Sequence, residues 1–570
     1  MLSRPEERGN RALRAVLREV KPCRVCAQGD QHPECLFFRR RDDVVIVQRS
    51  FTVEATKTGY TVAKVNPQAH TKRVTPEFAP APPHLTLEII VQLLIAIAYI
   101  LIPLLERHQA LRQQYTPAAI LERTPELEGE RLICDLRCES RRNPADGHDF
   151  VLLEFFQPHE LENALEVLRR AQQVQETSCP SDADEVVRVT LSHGAGQPSY
   201  ATLYKALASG VPVVVSGIDP GNSNLTPDFF VKWYGDEEVT VVNTATRSAR
   251  TTVLSAFMEN FDDPDASAEP EKIQDWPPTE NFATAFPDMN EVFQEVLVGW
   301  MLTSKRGALN LESNMPVGSC PPDTGPKAYL ARAATNGATT RLHTDISDAV
   351  NFMFSAGRGR EGIEAGAEWI MICRDDMDEA ARLLREWQKP FNGHPIHSAD
   401  ITITPTDVTR LCDAGVRVWR LVQKAGEAVF IPAGVGHQVW NYTSCIKIAV
   451  DFVSPANIVH SHNISKELRE HRLMVNDPDA EDVLQLPTMC WWTFVRSQTE
   501  EYLNVRSDVF SCPWTSHYSA APRYLQVPVG VDAHEDEHAD REFYPEQSAS
   551  GFTVGGPAPA GAAGMSGHFH

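Results

Sequence analysis

Positive charge is scarce in this chain. Fifty-three Lys and Arg stand against 76 Asp and Glu, a formal net charge of −23 over 570 residues. The basic residues gather at the start, where residues 1–73 hold 15 Lys/Arg against 8 Asp/Glu. An acidic body argues against broad nucleic-acid binding, so no sequence-specific DNA contact is expected. It favours cationic partners such as basic peptides. Cysteine is thin, with twelve spread over the whole length. A small secreted scaffold would concentrate them, so a reducing compartment is expected. Met1–Arg24 has no apolar h-region, so no signal peptide is read there. No internal repeat is present. With 42% hydrophobic and 23% charged residues, a fibrous or wholly disordered chain is excluded.

Long apolar runs are missing too, with one exception. Leu85–Leu105 reads LTLEIIVQLLIAIAYILIPLL, broken only by Thr86, Glu88, Gln92 and Pro103. This approaches the ~20 apolar residues that span a bilayer. With Gln92 inside it, the run reads first as a buried helix packed on the rest of the protein; a membrane span is the alternative. The chain is too long for one core. Its expected parts are a basic N-terminal region with a cysteine group (1–83), the apolar helix with a cysteine-containing connector (84–149), and a folded domain (150–505) whose core covers about 200–460. Residues 526–570, rich in Gly, Pro, Ala and Ser, are expected to be disordered.

Within 150–505, helical spacing predicts helices over His159–Gln173 and Ala201–Leu207, the second closing before Gly210. Val211–Val215 and Val239–Val242 read as strands. Short β-like runs separated by Gly and Pro fill 325–355 and 416–454, with a helix at Asp375–Trp387 between them. A helical region, Ser465–Tyr502, follows. The expected class is α+β, a mainly β core with helices around it.

One heptapeptide, Thr339–Asp345, carries the chemistry. Side chains on a strand alternate faces, so His343 and Asp345 point the same way. A third ligand would complete the facial triad of a non-haem Fe(II) site. The pattern alone is cheap: His534/Asp536 and His538/Asp540 repeat it in the tail, where they read as solvated charge. Weight comes from Glu427–Asn441, which reads as a buried strand, a Pro/Gly turn, and a second strand opening with His437. Cys445–Val453 follows as a mostly apolar strand. These parts suit a jelly-roll metal site; the alternative is that His437 merely satisfies the turn.

RLHTDISDAVNFMF (341–354) and EAVFIPAGVGHQVWNYTSCIKIAVDFVSP (427–455) resemble the Jumonji-C (JmjC) 2-oxoglutarate oxygenases, most closely the histone demethylases acting on lysine nine of histone three. GVPVVVSGI (210–218), DWPPTENF (275–282) and GPKAY (325–329) add shorter matches in order, so the resemblance covers about 200–460. It implies a cupin-like double-stranded β-helix with Fe(II) and 2-oxoglutarate, in a nuclear chromatin regulator of transcription. His343, Asp345 and His437 fall on the iron triad, and Thr340 on a hydroxyl that contacts the co-substrate. Strand parity puts Thr340 on the face opposite His343, so the resemblance alone selects it unless the strand is irregular there. The family's lysine for the far carboxylate of 2-oxoglutarate, seventeen residues after the first histidine, is Arg360 here, with Arg358 as its rival. A guanidinium is a larger, flatter fork than an ammonium and does not replace it like for like. Asn351 and Asn441 either reach the co-substrate or are polar groups satisfied within the barrel.

The implied reaction converts 2-oxoglutarate to succinate and hydroxylates an N-methyl group, which leaves as formaldehyde. The implied partners are a methylated histone tail and chromatin complexes, with no membrane. Two other readings stay open: hydroxylation of a protein side chain, and a chromatin scaffold that has lost turnover through the Arg358/Arg360 loop. Cys23, Cys26, Cys134 and Cys138 can supply zinc thiolates, as in the cysteine-rich module of that subgroup. Cys35 and His32 are substitutes, and unrelated reduced thiols are the other reading. His394 and His397 lie in an insertion that the family also has.

Overall fold

Among the described strands, VVVS (213–216), AEWIMI (367–372) and EAVFI (427–431) are buried on both faces, which requires a layer packed on each side. A computed structural model describes residues 51–56, 59–65, 77–114, 158–173 and, with short interruptions that include 360–364, residues 185–502. Cys23, Cys26, Cys134, Cys138 and the 526–570 tail lie outside the described residues.

Strands β1 (Phe51–Thr56) and β2 (Gly59–Val65) pair as an antiparallel hairpin. The larger sheet is built from β3 (Val187–Thr190), β4 (Val213–Ser216), β5 (Glu238–Asn243), β6 (Ala249–Val253), β7 (Glu271–Trp276), β8 (Lys327–Ala331), β10 (Asp348–Ala356), β13 (Glu427–Ile431) and β15 (Cys445–Phe452). Their order across it is β3-β4-β13-β10-β15-β8-β7-β5-β6. The smaller sheet has β9 (Ala338–Thr344), β11 (Ala367–Ile372), β12 (Val418–Gln423) and β14 (Gly436–Asn441), in the order β12-β11-β14-β9. Within both sheets only β3 with β4 is parallel. This is the α+β jelly-roll architecture that the sequence leads one to expect, and the β-like runs in 325–355 and 416–454 are its barrel strands.

One face of the larger sheet, with Leu330, Val350, Phe352, Phe430 and Ile448, packs outward into the main core among the helices. The other face, with Met353, Val429 and Ile431, meets Trp369, Met371 and Val439 of the smaller sheet. The site lies between these two layers.

The helices fall close to their expected bounds at Pro158–Gln172, Tyr200–Ala208 and Met377–Trp387, the last preceded by a 3-10 turn at Arg374–Asp376. Gly210 ends the second at φ +70, and a Cβ there would sit 2.5 Å from Arg374 Nε. The closing helices are Ile458–Val475 and Leu486–Ser497. The first starts before the expected Ser465, although its opening turns hold Val, Asn and Ser, weak helix formers that hide the start from the sequence. Tertiary contacts hold it there: buried Asn457 donates to Leu207 O at 3.0 Å and to Asp348 Oδ1 at 2.6 Å.

The apolar run is a helix, Leu87–Gln114. By length and composition it is the one described helix able to cross a membrane. Here it packs against the helices Pro158–Gln172, Ile458–Val475 and Leu486–Ser497, and Ile90, Leu93, Leu94, Ile97 and Leu101 are buried. Burial around most of its circumference explains why it lacks a polar stripe. Leu93→Ala is therefore expected to lower unfolding free energy by about 2–5 kcal/mol, read by denaturant titration of detergent-free protein. An unchanged midpoint would place the helix outside the core.

Candidate metal centre

β9 and β14 are neighbours, and their register sets His343 directly opposite His437. The ring centroids are 4.2 Å apart. Asp345 follows the end of β9 and faces both rings: Oδ1 is 3.6 Å from His343 Nε2, and Oδ2 is 3.5 Å from His437 Nε2. All three ligand atoms lie within 4.8 Å of one another. The three side chains are nearly buried, 12%, 14% and 4% exposed for His343, Asp345 and His437.

Each imidazole is fixed from behind. His343 Nδ1 lies 2.7 Å from Arg341 O, and His437 Nδ1 lies 3.1 Å from Val435 O. A carbonyl only accepts, so each Nδ1 carries the proton and donates it, which turns both Nε2 atoms towards Asp345. Burial and the neighbouring His437 push the His343 imidazolium down to about 4, so that ring is neutral at physiological pH. Its Nε2 lone pair therefore confronts carboxylate oxygens with no proton between them. The donor set fits a divalent cation bonded at roughly 2 Å from each.

The turn before β14 delivers His437. Gly434 adopts φ +83, a left-handed conformation that glycine takes without strain. Gly434 N donates to Asp345 O at 3.4 Å, and Ala433 N donates to Asp348 Oδ1 at 2.9 Å. The two halves of the triad are thus tied together through backbone.

Thr340 is where simple alternation fails. The ladder pairs His437 with His343 but Val439 with Thr340, so β9 spends three residues where β14 spends two. This bulge brings Thr340 onto the His343 face. Thr340 Oγ1 accepts a 2.7 Å hydrogen bond from Lys272 Nζ. Asn351 and Asn441 have buried Oδ1 atoms without a hydrogen-bond partner, while Asn441 Nδ2 donates to Ala338 O at 2.9 Å. Arg358 is exposed on the loop beyond the end of β10, so the cation expected from it does not stand inside the barrel. Its charge stays in water, where it costs nothing to solvate. Arg360 lies outside the described residues.

Sequence reading passed over three groups that the structure adds. Lys272 on β7 and Lys447 on β15 are buried at 7% and 4% exposure. A lone cation inside CIKIAVDF was the available signal for Lys447; Lys272 had none of that kind. The third is Tyr329, whose hydroxyl donates to Asp275 Oδ1 at 2.9 Å. Burial, with Asp275 and Asp451 nearby, holds its phenol well above the ordinary range.

His394 and His397 stack at 4.0 Å in the insertion. His397 is bonded to Thr344 Oγ1 and Glu467 Oε2, at 3.1 and 3.0 Å, which ties the insertion to the triad strand and a C-terminal helix. Among the described residues, only His343, Asp345 and His437 form a group arranged for a metal.

Residues 334–452 match the family model described as "JmjC domain, hydroxylase". Over about half of its length the chain is 32% identical to lysine-specific demethylase 3A of Homo sapiens and 3A-A of Xenopus laevis, and likewise to lysine-specific demethylase 3 of Drosophila melanogaster. It spans 25% of the length of the first two and 39% of the third. The lone-pair geometry and these matches agree: residues 334–452 are a JmjC domain, in a chain that resembles the lysine-specific demethylases named 3 and 3A.

Proposed function

We propose that this chain is an Fe(II)- and 2-oxoglutarate-dependent demethylase of methyl-lysine in a histone tail, acting on chromatin in the nucleus. The observation that carries the reading is the convergence of His343 Nε2, His437 Nε2 and the Asp345 carboxylate inside the barrel. These three residues would hold the iron. Bound together, iron and 2-oxoglutarate would activate dioxygen for hydroxylating a C–H bond, one oxygen atom entering the substrate and the other the succinate left as carbon dioxide departs.

The chain's own groups bind, orient and exclude water. Trp369, Met371, Val429 and Val439 form the apolar part of the lining. Tyr329 stays protonated and donates to Asp275, on the same sheet wall as Lys447, which it faces across the β8–β15 ladder. Hydroxylation of the N-methyl carbon leaves a hemiaminal; its O–H proton moves to nitrogen as the C–N bond breaks, giving formaldehyde and amine.

Purified protein with Fe(II), 2-oxoglutarate and methylated histone-three peptides is expected to release succinate and formaldehyde in equal amounts. Succinate without formaldehyde would favour the hydroxylase reading. Neither product from folded, metal-loaded protein would favour the scaffold.

A further inference from the structure

We infer that Lys272 of β7, backed by Lys447 of β15, holds the far carboxylate of the bound dicarboxylate, in place of an arginine from the loop after β10. The inference rests on the functional reading above and names the groups that select its co-substrate.

Lys272 and Lys447 are buried in the barrel, and among the described residues neither forms an ion pair with a carboxylate. Lys272 Nζ has one hydrogen bond, to Thr340 Oγ1. Lys447 Nζ stands 5.4 Å from the centre of the Trp369 ring, which itself stacks on His437. Asp275, the acid nearest Lys272, is already engaged by the Tyr329 hydroxyl and by Gln274 Nε2. Two buried like charges on one wall, neither in direct ion-pair contact and with Asp275 alone nearby, leave net positive charge for an anion to meet. Burial pushes both ammoniums down to about 8, so an arriving anion has only a small cost to meet in keeping them charged.

The placement also fits. The bulge puts Thr340 opposite Val439, two residues along β14 from His437, roughly 7 Å from the metal ligands at strand spacing. A five-carbon 2-oxo dicarboxylate bound by its keto acid at the triad would bring its other carboxylate to the Lys272–Thr340 pair. Arg358 is exposed by contrast.

The test is calorimetric binding of 2-oxoglutarate and of 2-oxobutyrate, which lacks the far carboxylate, to Mn(II)-loaded protein without turnover. Wild type is expected to prefer 2-oxoglutarate strongly. Lys272→Met should weaken 2-oxoglutarate roughly thirty-fold or more and leave 2-oxobutyrate within about twofold. Lys447→Met should cost roughly tenfold, while melting at or above wild type when ligand-free, because methionine removes an unpaired buried charge. That opposite movement of stability and binding separates a clamp from misfolding. Arg358→Ala combined with Arg360→Ala should change neither ligand by more than about threefold.

The inference is overturned if Lys272→Met keeps full preference, if it loses both ligands equally, or if the double arginine variant abolishes the preference. Wild type that binds Mn(II) but shows no preference for 2-oxoglutarate would sink the functional reading as well, and is a separate result.

Discussion

Asp345→Ala is expected to yield a folded protein that no longer takes up a divalent cation. Asp345 is the only anion in the triad, and its two oxygens face both imidazoles at 3.6 and 3.5 Å. Removing it takes away one ligand and the charge that neutralises the metal. Loss of a partner that merely orients a ligand typically costs 10–100-fold in metal affinity, so losing the ligand should exceed about 100-fold, or roughly 2.7 kcal/mol. Folding should not suffer. The Asp345 side chain accepts no hydrogen bond from the described residues, and without a metal it confronts the lone pair of His343. The melting temperature of the metal-free variant is therefore expected to equal or exceed that of wild type. Mn(II) titration and thermal denaturation read the two halves separately. Wild-type affinity in the variant would remove Asp345 from consideration as a ligand and break the proposed triad.

The triad was legible because two simple rules apply to it. Alternation on β9 sets His343 and Asp345 on one side, and the Pro/Gly turn before β14 announces a strand that begins with His437. Thr340 shows where such rules stop. A bulge is a property of two strands in register, and the partner strand lies almost a hundred residues away, so parity within β9 gives the wrong face. Lys272 is a harder case. It reaches Thr340 from β7, and only the sheet order, with β7 beside β8 and β8 beside β15, brings it to the same cavity as Lys447. Of the two arginines expected to clamp the co-substrate, Arg360 lies outside the described residues and only Arg358 can be placed. In the structure Arg358 follows the end of β10 into solvent, and the buried cations come from other strands.

Asp348→Ala is expected to be the most destabilising change near the site, although Asp348 touches no ligand. Its carboxylate is 1% exposed and accepts from three donors of distant segments. These are Ala433 N at 2.9 Å, Asn457 Nδ2 at 2.6 Å and Ser454 Oγ at 2.5 Å. Asn457 Oδ1 accepts in turn from Arg374 Nη1 at 2.7 Å, and Arg374 Nη2 donates to Ala208 O at 2.6 Å. The network joins the start of β10, the turn that delivers His437, the helix Ile458–Val475 and the end of the helix Tyr200–Ala208. Alanine strands three buried donors at up to about 1–3 kcal/mol each and leaves the neighbouring Arg374 charge less compensated. A total loss of about 3–5 kcal/mol follows, a drop in melting temperature of roughly 8 °C or more. Because Ala433 lies in the turn before His437, metal affinity should also fall, by roughly tenfold. Asp348→Asn keeps one acceptor but sets an N–H against Ser454 or Asn457, so it should recover only part of the stability. A variant that melts like wild type but binds metal weakly would mean the turn is held by something other than this carboxylate. Equal recovery of both quantities by asparagine would show that the negative charge, as distinct from the hydrogen bonds, contributes little.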